Sequence, residues 1–381
     1  MKVDIVNQND FEIVIKVNGL IDTLSSKELS SFVLDVNKNN PKAKIIIDFD
    51  DVEFITSACI DFLKEFSINN NLELINTSRE VYTILTLTNM QDIVKDKQNT
   101  LSIETEGCKM IGKGFTSEVY KLDDETIAKV YYDLPSLATL LSERIIAKKA
   151  FVKGVPTEIS FGICECHGKP GLVYELVNAE TLLSILSKDF TKVDELIENY
   201  VNIVKEVHKY DSEGIPELPN SKQVLRKDIE VLSNHYSIDE IAKLKKQLDR
   251  IPDSTKLLHG DPHPANIMVK DDNSMSYIDL SDMRVGDEII DLVYLNRTLH
   301  QFAKMPGNKY ALNLSQTNHL WNLFFNEYYK DLNEEEKQSK EQLIELMSLI
   351  SITARFFVRP TPSSIIDIFY NELKDKISKL D

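Results

Sequence analysis

The chain has 381 residues, enough for two to three domains, and its 42% hydrophobic and 28% charged residues exclude a disordered, collagen-like or disulfide-scaffold protein. A formal net charge of −17 repels phosphate backbones and anionic headgroups, which argues against nucleic acid and membrane as partners. Four cysteines are too few for a disulfide framework and fit a reducing cytoplasm, and the amino-terminus lacks the cationic-then-apolar pattern of a secretion signal. No apolar run approaches the roughly 20 residues that a membrane span needs.

The first hundred residues read as a small α/β unit. Phe11 to Val17 alternates apolar and charged residues, the pattern of a half-buried strand, and Gly19 ends it. Ser25 and Ser26 precede an amphipathic helix carrying Leu29, Phe32, Val33 and Val36. Lys44 to Phe49 reads as a buried central strand, continued in extended form through Val52 to Ile55. Thr56-Ser57 caps a helix through Ile60, Leu63 and Phe66; Leu72 to Ile75 is a strand; Ser78 starts a last helix. The polar run Lys95 to Thr100 is the linker candidate. Short β-like segments then reach about Val177, and from about Thr181 helical periodicity dominates, interrupted only by a β-like stretch from Lys256 to Leu280. A β-rich part followed by a long helical part suggests two lobes.

The chemistry concentrates in Leu258-His-Gly-Asp-Pro-His-Pro-Ala-Asn-Ile-Met-Val269 and, after a strand, Tyr277-Ile-Asp-Leu280. Phosphoryl transfer needs one carboxylate to accept a hydrogen bond from the attacking hydroxyl, and an amide oxygen and a second carboxylate to hold magnesium on the phosphates. Asp261 suits the first role; Asn266 and Asp279 suit the metal. His259 suits an orienting hydrogen bond better than acid–base work, and His263 is undecided. Asp282, Asp287 and Asp291 read as turn and helix caps. Cys164-Glu-Cys166-His167 lacks the ligand number and spacing of a zinc site, and Gly168-Lys-Pro-Gly171 makes it a hairpin turn.

His259-Gly-Asp-Pro-His-Pro-Ala-Asn266 resembles the HGDxxxxN catalytic loop of aminoglycoside phosphotransferases and choline-kinase-like enzymes, of the protein-kinase-like superfamily. Ile278 to Asp287, with Asp291-Leu292, is similar to that family's IDxxDAxxGDPxxDL stretch. The resemblance covers about residues 105–381 and implies a two-lobed, kinase-like fold with the active site between its lobes. It also implies an ATP- and magnesium-dependent transfer of the γ-phosphate to a hydroxyl. Ile111 to Tyr120 would be the glycine loop, with Gly112, Gly114 and Ser117 against the phosphates; Ser117 stands where protein kinases carry a third glycine. Lys129, in Thr126-Ile-Ala-Lys-Val-Tyr131, would contact the α- and β-phosphates. Its expected partner is Glu143, ahead of Glu158. The backbone near Glu175 and Val177 would meet adenine.

The amino-terminal unit resembles a STAS domain, the fold of anti-sigma-factor antagonists, over about residues 1–98. The matching residues are Val17-Asn-Gly-Leu-Ile-Asp22, Ile45-Ile-Ile-Asp48 and Val52 to Ile60. Ser57 occupies that family's phosphorylation-switch position, with Thr56, Ala58 and Cys59 replacing the usual Asp, Ser and Gly. A phosphate there would sit at a helix N-terminus, where N–H groups and the dipole accept it; a plain N-cap serine is the alternative.

The expected fold class is α/β plus α+β. A STAS-like domain at 1–98 and a linker at 99–104 precede a kinase-like domain at 105–381, its lobes meeting near 177–178. The expected function is a cytoplasmic phosphotransferase for a small-molecule hydroxyl acceptor, with the STAS-like domain regulating it or docking a protein partner. The alternatives are a protein kinase acting on Ser57 or on a partner, and a nucleotide-binding scaffold without turnover. The overall negative charge suits a cationic acceptor, but it is spread too widely to select one.

Overall fold

The computed structural model describes residues 1–9, 11–95, 103–114, 116–132, 137–177, 179–215, 218–305 and 310–380. Most of the linker expected at 99–104 lies outside them. The chain forms two compact units, one of residues 1–148 and 159–176, the other of 149–158 and 177–381.

The first unit holds two sheets. One has the order β1 (Lys2–Gln8), β2 (Glu12–Asn18), β3 (Lys44–Asp51) and β4 (Leu72–Ile75), with β1 antiparallel to β2 and the other pairs parallel. Strict alternation in β2 buries Ile13, Ile15 and Val17, and the register sets Ile13 opposite Ile45 and Ile15 opposite Ile47. Helices α1 (Thr23–Asn39), α2 (Ser57–Asn69) and α3 (Arg79–Leu87) are the crossovers and cover of this sheet. The first helix begins before the serines expected to precede it. Asp22 is its cap, accepting the Ser25 N–H at 2.8 Å, and Ser26 lies inside, its Oγ bonded to the Asp22 carbonyl and to Thr56 Oγ1. Ser78 caps α3 as its sequence indicates.

The second sheet is antiparallel, in the order β5 (Lys109–Lys113), β6 (Ser117–Lys121), β7 (Thr126–Tyr131), β9 (Lys169–Glu175), β8 (Ser160–Cys166), with α4 (Leu137–Lys153) following β7. His167 and Gly168, both at positive φ, form the two-residue turn between β8 and β9, so the cysteine–histidine segment is a hairpin. Among the described residues, no group of three or more His, Cys, Asp or Glu side chains could hold a metal.

The two sheets of this unit are tied by a common core. Val81, Ile84 and Leu85 of α3 belong to the same buried cluster as Tyr131, Leu140, Ile163, Leu172 and Tyr174. Polar contacts frame it. Arg144 of α4 lies 3.6 Å from Glu80 and stacks over the Phe54 ring, and Lys148 pairs with Glu53 at 2.7 Å. Burial pulls the Arg144 pKa down while Glu80 and Glu53 oppose the shift.

The second unit is mainly helical. Its elements are β10 (Glu180–Thr181), α5 (Leu182–Lys188), α6 (Val193–Val207), α7 (Ser221–Leu232), α8 (Ile238–Leu248), β11 (Leu257–Leu258), β12 (Ile267–Val269), β13 (Met275–Tyr277), β14 (Arg284–Val285), α9 (Ile289–Asn296), α10 (Leu314–Tyr328), α11 (Glu334–Val358) and α12 (Ser363–Ser378). The β-like stretch read from Lys256 to Leu280 resolves into short strands: β12 pairs with β10 and β13, and β11 with β14. Trp321, Phe325 and Tyr328 of α10 are core residues. Among the described residues no helix is long and apolar enough to cross a membrane.

Ile163→Ala should destabilise the first unit by about 2–5 kcal/mol, the cost of a large-to-small change in a closed core. Hydrogen exchange should then rise in the β1–β4 sheet and in the β5–β9 sheet together. Exchange confined to the second sheet would contradict the common core.

Candidate active site

In β7 the alternation sends Ala128 and Val130 into a small core with Cys164, Cys166 and Val173. Lys129 and Tyr131 therefore share the other face. Lys129 Nζ lies 2.8 Å from Glu143 Oε1, with side-chain exposures of only 13% and 3%. The Glu143 carboxylate also accepts the Tyr131 hydroxyl at 2.6 Å and the Tyr174 hydroxyl at 3.0 Å. A buried carboxylate is costly without such donors. Here it has three, from two strands, while Glu143 itself rides on α4.

Gly112 lies in β5, beside a register shift in the β5–β6 pairing, and the Gly114 N–H donates to the Ser117 carbonyl at 2.9 Å. Neither glycine is in the left-handed region, and Ser117 is buried at the start of β6. Glu175 closes β9, its N–H bonded to the Ile159 carbonyl, and Val177 is the first residue of the second unit after that strand.

The second unit carries Asp261, Asn266 and Asp279. The loop holding Asp261 is fixed from below by Asp291, which is fully buried in the first turn of α9. Asp291 accepts the His259 N–H at 2.9 Å, the Gly260 N–H at 2.7 Å and the His208 Nε2 at 2.9 Å; His208 Nδ1 bonds the Tyr328 hydroxyl. This corrects the reading of Asp291 as a simple cap. Its carboxylate organises a whole loop from one buried point. Asp282 and Asp287 do behave locally, pairing with Arg284 and accepting the Ile289 N–H.

His259 is also fully buried. The Asp261 N–H donates to its Nδ1 at 3.2 Å, so its Nε2 carries the proton and donates to the Ile278 carbonyl at 3.3 Å. Burial lowers its pKa below 6.5, keeping it neutral, as an orienting role requires. Gly260 has φ of +83°, and a Cβ there would fall 1.9 Å from the Asp282 carbonyl oxygen, so no other residue fits. His263 caps the turn that follows by accepting the Ala265 N–H, with its Nε2 3.5 Å from Asp261 Oδ2.

Asp261 Oδ1 is buried without a hydrogen-bond partner. Such an atom is expensive unless something completes it. The Asn266 side-chain N–H donates to the Asp261 carbonyl at 3.0 Å, which commits the amide nitrogen and leaves its oxygen to accept a ligand. Asp279 sits at φ +60°, a strained position for a non-glycine residue, and Ser281 donates to its Oδ1. An acceptor carboxylate, an amide oxygen and a second carboxylate are the donor set that magnesium and a hydroxyl require. The sequence reading missed His208, Tyr131 and Tyr174. His208 is the C-cap of an otherwise ordinary amphipathic helix, and the two tyrosines look like common strand aromatics, so no local signal marked them.

A model of the phosphotransferase enzyme family matches residues 107–309, more than half of the chain, and a STAS-domain model matches residues 2–103. The chain therefore belongs to the phosphotransferase enzyme family, with a STAS domain at its amino-terminus. It is a kinase-type phosphotransferase. Among solved structures, aminoglycoside phosphotransferase APH(4)-Ia aligns with a TM-score of 0.51 at 10% identity, over 71% of this chain and 93% of that one. A thermostable mutant of the same enzyme, in ternary complex with ADP and hygromycin B, aligns with a TM-score of 0.52 at 10% identity over 71% and 93%. At such identity these neighbours share the kinase-like fold.

Gly260→Ala should cost several kcal/mol, roughly 3 or more, because the clash is with backbone that cannot move aside; urea unfolding would measure it, and a change near zero would contradict the loop geometry. Histidine 259 gives a pH dependence. Its folded pKa is depressed, so its contribution is present above the unfolded value of 6.5 and is lost as pH falls through the folded value. Unfolding free energy should therefore drop as pH falls below about 6.5, and less so in His259→Gln; equal slopes in the two proteins would contradict its burial as a neutral ring.

Proposed function

We propose that the chain transfers the γ-phosphate of ATP, with magnesium, to a hydroxyl on a small molecule in the cytoplasm. The observation that carries this reading is Asp261 Oδ1, a buried, unpartnered carboxylate oxygen on a loop fixed by Asp291. Asp261 would accept the hydrogen bond of the attacking hydroxyl and orient it. Asn266 and Asp279 would hold magnesium, which supplies charge neutralisation on the phosphates. Lys129, kept in place by Glu143, would bind the α- and β-phosphates, while the backbone of Gly112, Gly114 and Ser117 would cradle them and that of Glu175 and Val177 would meet adenine. ADP in the APH(4)-Ia complex supports nucleotide use. Catalysis would come mainly from positioning and electrostatics.

The proposed division is a STAS domain at 1–98, a connector at 99–104 and the transferase part at 105–381. The STAS domain would regulate. Its residues Glu53, Phe54 and Glu80 grip Arg144 and Lys148, on the helix that carries Glu143. Whatever changes that grip would shift the phosphate-binding lysine's partner. Ser57 supports a second reading, protein kinase action on the chain itself. It is the half-exposed first residue of α2, just after Glu53 and Phe54, where an added phosphate would alter that grip.

Asp261→Asn should lower ATP turnover about 10²–10⁴-fold while nucleotide binding survives, the range for losing one positioned acid–base group. Asp279→Ala should weaken magnesium-dependent nucleotide binding. Turnover unchanged in Asp261→Asn would overturn the role assigned to it. A mass gain of one phosphate on Ser57, absent in Asp261→Asn, would favour the second reading over the first.

A further inference from the structure

The second unit contains a cavity of about 220 Å³ whose charge is opposite to that of the chain as a whole. Arg284, Arg297, Arg355 and Arg359 line it, with Asp228 as the one carboxylate among its lining residues. Arg284 is already paired with Asp282 at 3.2 Å, so three further guanidiniums against Asp228 leave a local excess of positive charge in a protein of net charge −17. The arginines come from β14, the segment after α9 and the end of α11, so three separate parts of the chain bring them together.

These side chains are held in place. Arg284 and Arg297 both stack on the Tyr294 ring, at 5.1 and 4.7 Å from its centroid. Arg297 Nη1 donates to Ser351 Oγ at 3.1 Å, and its Nε is buried without a hydrogen-bond partner. Asp228, facing Ser351, Arg297, Arg284 and Arg355, is pushed up to about 6 by burial. Arg355 is pulled down by burial and by the repulsion of Arg297 and Arg359. Like charges crowded this way are unfavourable alone and become favourable around an anion, which planar guanidiniums bind in pairs.

The cavity also adjoins the catalytic loop. Arg284 Nε lies 3.3 Å from where a Cβ on Gly260 would stand, next to Asp261, and Asp261 and Asp282 both attract Arg355. We propose that this cavity holds an anionic group, a carboxylate or a phosphate ester, of the hydroxyl acceptor. The proposal rests on the phosphotransferase reading and narrows it: the acceptor is an acidic alcohol rather than a polycationic one. The anion would sit on the arginines and present its hydroxyl to the loop.

Two measurements separate this proposal from the reading beneath it. The first is calorimetric titration of the full chain, saturated with a non-hydrolysable ATP analogue, with inorganic phosphate. Binding should weaken about tenfold or more in Arg355→Gln and in the surface variant Arg359→Ala, and tighten in Asp228→Asn, as expected for losing or gaining net positive charge at a charge-paired site. Phosphate heats that are absent, or unchanged in all three variants, would overturn the cavity as an anion site. The second is magnesium-dependent ATP consumption with matched acceptors: glycerol against glycerate and glycerol phosphate, ribose against ribose phosphate, and a polycationic aminoglycoside. The acidic members should be preferred, and Arg359→Ala should raise their KM with little change in kcat. Preference for neutral or cationic members, unaltered in Arg359→Ala, would overturn the assignment. If no acceptor gives Asp261-dependent turnover, the phosphotransferase reading fails, and the phosphate titration alone then decides the cavity.

Discussion

Everything in the first unit turns on how one carboxylate, Glu143, is kept buried. A lone ionised carboxylate in a core would be neutralised or expelled. Glu143 avoids this with three donors, Lys129, Tyr131 and Tyr174, all on the β5–β9 sheet. The pairing is mutual: it holds Lys129 in a strand that would otherwise send a lysine to solvent. Because Glu143 sits on α4, the position of that helix and the position of the lysine are a single variable. The STAS domain grips the same helix through Arg144, the residue next to Glu143, and Lys148. On the proposed reading, a regulatory domain that tilted this one helix would move the lysine assigned to the phosphates.

The second unit solves a comparable problem by another route. Here a buried carboxylate, Asp291, shapes the loop to which the chemistry is assigned in the proposed function. It takes the N–H groups of His259 and Gly260 and ties them to His208. Glycine at 260 allows the backbone to pass against Asp282. The result leaves Asp261 Oδ1 buried and unsatisfied, an energetic cost that the proposed role as acceptor would account for. The arginine cavity beside the same loop shows that whole-chain charge is a poor guide to local charge. The sum is −17, yet four arginines gather on the lining of one cavity.

Much of this was legible in the sequence. The strand runs Ile45-Ile-Ile and Leu72 to Ile75, the HGD loop and the strand lysine carry period and spacing that survive without context. The family models match the stretches that contain these residues. Other features were hidden because they are made by distant partners. Asp291 reads locally as a helix-start carboxylate, and only its contacts with residues some thirty positions earlier reveal its role. Asp22 was passed over as a cap because two serines stood nearer the apolar run. The four arginines are scattered from 284 to 359 and form no motif. That the STAS domain shares a core with the neighbouring sheet could not be seen from a polar linker, since no periodicity reports what a surface packs against.

The central claim is that the STAS domain sets the phosphate-binding end of a kinase-type site through α4. The most direct test is the magnesium–ATP affinity of the full chain with Glu80→Ala, a change made in the STAS domain at the residue paired with Arg144. With the fold intact by circular dichroism and melting, the account predicts affinity weakened severalfold, in the direction of Glu143→Gln but smaller. Affinity equal to wild type, with Glu143→Gln strongly impaired, would contradict it and leave the STAS domain a passenger on the lobe it touches.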